Sequence, residues 1–150
     1  MKIWQLLILL MFWSSSFSQI RIADVGDGWK NKVQQALDTI KKYDVQKYYL
    51  IMENCSNVAY WNGGFSTTEG DSTITIPTRE MKDGNIYNIS AILVHESLHL
   101  FFKRTNFNLK PNLEEVVCYQ HELEFLEKIP CVDYWLIENA KNKIKFYSKP

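Results

Sequence analysis

The chain predicts an α+β domain. Three observations point there. Amphipathic patterns with helical period open and close the chain. Between them lie short β-rich runs bounded by Gly, Pro and Ser/Thr/Asn. A long apolar stretch, Ala91 to Lys103, then reads as one buried helix with His-Glu-x-x-His at its centre. With 150 residues and 46% hydrophobic content the chain has material for one domain and one core. No internal repeat, low-complexity tract or second domain is seen. Lysine plus arginine and aspartate plus glutamate both number 17, so no charge surplus points to nucleic acid or an anionic surface.

Residues 1–18 read as a signal peptide. Lys2 supplies the positive start, Ile3 to Trp13 is an apolar run too short for a comfortable membrane span, and Ser16-Phe17-Ser18 offers small residues at the cleavage positions. Cleavage before Gln19 would leave 19–150 as the mature domain, secreted or periplasmic and free of the membrane. An uncleaved anchor is the alternative. No cysteine follows the apolar run, so a lipid anchor is not expected. Export implies an oxidising compartment. Cys55, Cys118 and Cys131 allow one intramolecular disulfide in any of three pairings, or three free thiols.

Asp27 is a candidate cap for a helix from Gly28 to about Tyr43, in which Trp29, Val33, Ala36, Leu37 and Ile40 share a stripe. Tyr48 to Met52 reads as a buried strand, Val58 to Trp61 as a second and Thr73 to Ile76, stopped by Pro77, as a third. This gives a small mostly antiparallel or mixed sheet of three to four strands. The loop Lys82 to Asn85 leads into the His-Glu-x-x-His helix, with Asn88 or Ser90 as cap. After a connector, Asn106 to Asn112, a helix runs from Leu113 to Ile129 and a last one from Asp133 to Tyr147.

Residues four apart on a helix share a face, so His95 and His99 can aim their imidazoles at one point. Two imidazoles and the Glu96 carboxylate in a buried helix need compensation, which a dication supplies. This is the ligand pair and general base of a zinc hydrolase. A third ligand must come from elsewhere. On the helix Leu113 to Ile129, at 100° per residue, Glu115 lies at the centre of the apolar stripe. Glu122 falls about 20° from it, Glu114 about 100° away, and His121 and Glu124 about 120° and 180° away. A carboxylate inside a buried stripe needs a partner or a metal. Glu115 is therefore the expected third ligand and Glu114 its rival. Glu122 is placed to accept an N–H from a metal-bound imidazole. His121 reads as an exposed histidine.

On these residues the chain resembles the zincin metallopeptidases, in particular the gluzincin, thermolysin-like branch. His95-Glu96-x-x-His99 matches that branch's motif helix, and Leu113 to Ile129 is similar to its glutamate helix. Asn57-Val58-Ala59-Tyr60-Trp61 is similar, with one residue inserted, to its substrate-binding edge strand. Two departures stand out. Tyr119 occupies the position, four after Glu115, where the family often has Asp or Asn. The chain is also small for a peptidase. The resemblance implies a zincin-like fold and a secreted Zn²⁺ peptidase acting on a peptide or protein. Its implied ligands are His95, His99 and Glu115, its base is Glu96, and Glu122 and Tyr119 lie behind them. Tyr119, Tyr134, Tyr147 and Arg104 are unranked candidates to stabilise the oxyanion. The alternative is an exported zinc-binding module with no turnover. Nothing in the sequence specifies an oligomeric state.

Overall fold

The computed structural model describes residues 19–23, 26, 28–82 and 85–149. The expected signal peptide and the Asp27 cap lie outside the described residues. The element order is β1 (Arg21–Ile22), α1 (Trp29–Tyr43), α2 (Val45–Asn54), β2 (Asn57–Trp61), β3 (Thr67–Glu69), β4 (Thr73–Pro77), α3 (Thr78–Lys82), α4 (Ile86–Thr105), α5 (Pro111–Leu126) and α6 (Tyr134–Tyr147). The class is α+β, as expected. No helix among the described residues is long and apolar enough to cross a membrane.

The sheet is mixed, in the order β1-β2-β4-β3. Here parallel pairing prevails: β1 with β2 and β2 with β4 are parallel, and only β3 with β4 is antiparallel. The cause is connectivity. Two helices intervene between β1 and β2, whereas β3 and β4 form a hairpin in which Gly70 takes a positive φ of 59°. β2 is thus an inner strand rather than the expected edge. The edge strands are β3 and the two-residue β1.

The expected strand at Tyr48 to Met52 is instead helical. Asp44 ends α1 and caps α2, its carboxylate accepting from the Lys47 N–H. Lys47, Ile51 and Asn54 then fall on a buried face at helical spacing. A short apolar run fits either period, and the cap decided it. α4 also starts earlier than expected. Asn85, not Asn88 or Ser90, is the N-cap, accepting from the Tyr87 and Asn88 N–H groups. Asn88 donates to Glu80, and the Ser90 hydroxyl binds the Ile86 and Ala36 carbonyls. α5 begins at Pro111, which needs no N–H in a first turn, and ends at Leu126 with a further turn to Ile129.

α4 is the hub: α1, α2 and α5 pack on it, and α6 packs on α5. Val33, Leu37 and Ile40 of α1, Ile51 of α2, Val58, Ile74 and Ile76 of the sheet, and Ile89, Leu93, Val94 and Leu100 of α4 form one core with Phe125, Leu126 and Leu136. α4 is apolar on nearly every side, which fits a helix enclosed by neighbours. Of the two alternatives left open for the cysteines, free thiols are found. Cys55 and Cys118 are buried free thiols and Cys131 an exposed one.

Candidate metal centre

His95 and His99, one turn apart on α4, bring their Nε2 atoms to 3.3 Å. Glu115 arrives from α5. One of its oxygens lies 3.5 Å from His95 Nε2 and the other 3.5 Å from His99 Nε2. The far side of each ring meets a different carboxylate. Glu122 Oε2 is 3.1 Å from His95 Nδ1, and Glu114 Oε1 is 2.6 Å from His99 Nδ1. Glu122 thus takes up the histidine-orienting position that the resemblance set at Tyr119, one turn further along α5. The Tyr119 ring packs edge-on against His95, with centroids 4.3 Å apart.

These contacts assign the tautomers. A carboxylate can only accept, so both Nδ1 atoms carry the proton. Both Nε2 atoms then turn bare lone pairs toward each other and toward the Glu115 carboxylate. Three electron-rich groups at such range need a positive charge between them, whether a proton or a metal cation. The metal-free electrostatics say the same. Burial opposes a charge on His95, yet the hydrogen bonds with Glu115 and Glu122 hold its pKa up to about 9. The His95 hydrogen bond in turn holds Glu115 below the usual carboxylate range. Two neutral imidazoles and a carboxylate are a donor set that zinc accepts, with an open fourth position. The residues therefore fit a Zn²⁺ ion.

Glu96 is buried. That burial raises its pKa, against the charges of His95 and His99 and a hydrogen bond from Ser66. Cys118, fully buried on α5, is a further potential donor, since its sulfur and a nitrogen of each histidine lie within 4.8 Å of one another. Burial, then the Glu115 and Glu114 charges, push that thiol well above its ordinary range. A thiol must deprotonate to ligate, so without a cation Cys118 is not a ready donor, whereas a bound cation would favour its thiolate.

The histidines and Glu96 open onto a cleft of about 790 Å³. One wall is Gly64 to Thr68, leading into the edge strand β3. The other is α6, with Trp135, Asn139, Lys143 and Tyr147. Of the oxyanion candidates, Tyr119 and Tyr147 line this cleft and stack on each other, whereas Arg104 is bound to the Glu53 carbonyl and Tyr134 is exposed. The loop entering β3 is shaped by Trp61, whose indole donates to the Phe65 carbonyl and lies so close over Gly63 that a methyl group there would clash.

His121 departs from expectation. It is half-buried, and its Nδ1 sits 2.9 Å from the ammonium of Lys47, itself only 6% exposed. It faces away from the two motif histidines, as its helix angle implied, but into a second polar cluster with Glu124 and Asp44. Sequence reasoning missed Ser66, the proximity of Cys118 and the α6 wall. The wall had a signal, since Trp135, Asn139, Lys143 and Tyr147 recur every four residues. Comparison with protein-family models, curated proteins and solved structures finds no match to this chain.

Proposed function

We propose that the chain is a small zinc-dependent peptidase of zincin-like design. The observation that carries this reading is the convergence of His95, His99 and Glu115 from two helices, each imidazole backed by its own carboxylate, beside a buried Glu96 in an open cleft. His95, His99 and Glu115 would hold the ion, with Glu122 and Glu114 fixing the rings. A bound zinc supplies Lewis-acid polarisation of a peptide carbonyl and brings the pKa of a water toward neutrality. Glu96 takes a proton from the attacking water as its oxygen bonds to the carbonyl carbon. It returns that proton to the nitrogen as the C–N bond breaks, leaving a carboxylate and an amine. A pKa raised by burial suits this shuttle. Tyr119 and Tyr147 line the cleft, and their hydroxyls would be the candidate donors to the developing negative charge. An extended peptide has the unpaired side of β3 to lie along, rather than β2.

The test is metal analysis of the purified mature chain, followed by peptide-library cleavage. Glu96→Gln is expected to retain zinc and lose hydrolysis. Glu115→Ala is expected to lose both. Full zinc affinity in Glu115→Ala would remove the reading. Cys118 favours a second reading, an exported zinc-binding module without turnover. If its sulfur joined the three other donors, the site would be closed with four protein ligands. In that case Cys118→Ser would weaken zinc binding strongly, and the wild type would cleave nothing.

A further inference from the structure

The α6 wall of the cleft carries one lysine turned inward. Lys141, Lys145 and Lys149 of the same region are exposed, and Lys141 pairs with Glu138, whereas Lys143 is half-buried and lines the cleft. Among the described residues Lys143 has no carboxylate within ion-pair range. Lys143 lines the same cleft as His95, His99 and Glu115. Its helix enters the site from a fixed point, since Asn85, at the start of α4, donates to Asp133, at the start of α6.

Lys103, two turns after His95 on α4, lines the cleft and bonds only the Thr68 hydroxyl. The third cation there, Arg79, is already paired with Glu80. The acids of the cleft are otherwise committed. Glu115 and Glu122 face the histidines, and Glu96 is buried beside them. Lys103 is solvent-exposed, whereas Lys143 is half-buried and, among the described residues, lacks an acidic partner in the cleft. A partly desolvated cation there is best satisfied by an anion brought by the ligand.

Resting on the peptidase reading above, we propose that Lys143 is a specificity-determining residue that binds a substrate carboxylate next to the scissile bond. The substrate class is an anionic peptide. The carboxylate can be an acidic side chain or a free C-terminus, and both present the same chemistry to the ammonium.

The experiment uses the zinc-loaded mature chain and sets of otherwise identical peptides. One set carries Glu or Gln beside the cleaved bond, with both termini blocked. The other is neutral and ends in a free carboxylate or an amide. The readout is the ratio of kcat/KM within each set. Wild type is expected to favour the anionic member of one set by about tenfold, mainly through KM, as a charged hydrogen bond in a half-open site implies. The favoured set tells side chain from terminus. Lys143→Met should bring that ratio close to one, Lys143→Arg should keep most of it, and Lys143→Glu should invert it. A wild-type ratio near one, or a ratio unmoved in Lys143→Met and Lys143→Glu, overturns the inference while leaving the peptidase intact. No cleavage of any peptide removes the peptidase reading, and this inference with it.

Discussion

Two imidazole lone pairs 3.3 Å apart, with a carboxylate 3.5 Å from each, set the behaviour of the site residue by residue. Without metal, a proton serves. His95 keeps it up to about 9 instead of the ordinary 6.5, because the Glu115 and Glu122 contacts outweigh burial. A folded pKa above the unfolded one adds stability that is complete below about pH 6.5 and vanishes as pH rises through about 9. The metal-free chain should therefore lose thermal stability across that window, by more than His95→Gln does. A bound zinc ion would have to displace the same proton. Calorimetry at pH 7 to 8 in buffers of different ionisation heat is expected to show about one proton released per zinc bound. Glu122 and Glu114 would act on a bound ion through the rings they contact. Glu122→Gln and Glu114→Gln should each weaken zinc binding about 10- to 100-fold in competition with a chromogenic chelator.

At the scale of elements, α4 depends on how it begins. The Asn85 side chain satisfies two N–H groups of its first turn. Asn85→Ala is expected to cost about 1 kcal/mol and lower the melting temperature by about 2–4 °C. Gly63→Ala would push the Trp61 indole off its seat and shift the Gly64 to Ser66 lip. Its signature is a raised KM for peptides with zinc content unchanged. The long elements were legible in the sequence because each repeats its apolar residues at one period, as Trp29, Val33, Ala36, Leu37 and Ile40 do in α1. The same period set Glu115 and Glu122 on one line of α5, but it offered Glu114 only as a rival ligand and not as the partner of His99 Nδ1. Tyr48 to Met52 misled because the run is too short to show a period, and the Asp44 cap was not recognised. β1, β3 and α3 span two to five residues and exist through their tertiary partners. Ser66, Cys118 and Lys143 reach the site only through the way their elements dock, which no local pattern encodes.

At the scale of the whole molecule, a second polar cluster ties α2 to the α5 end of the chain. Lys47 contacts His121 and Glu124, and Asp44 holds Lys128 at 2.6 Å. Burial, then the charge of Lys47, depress His121 to about 4, and its Nε2 is buried without a partner. A folded pKa below the unfolded one contributes stability that is complete above about pH 6.5 and is lost as pH falls through about 4. Melting temperatures measured from pH 7 to 4 should therefore fall more steeply in wild type than in His121→Gln. The histidines and the glutamate set against them lie on consecutive helices joined by residues 106–110, most of them exposed. An ion shared by those helices would act as the clasp of a hairpin. Stripping it with a chelator should let the two arms part. A digestive protease would then nick the linker first, splitting the chain near residue 108 into two fragments that mass spectrometry can weigh.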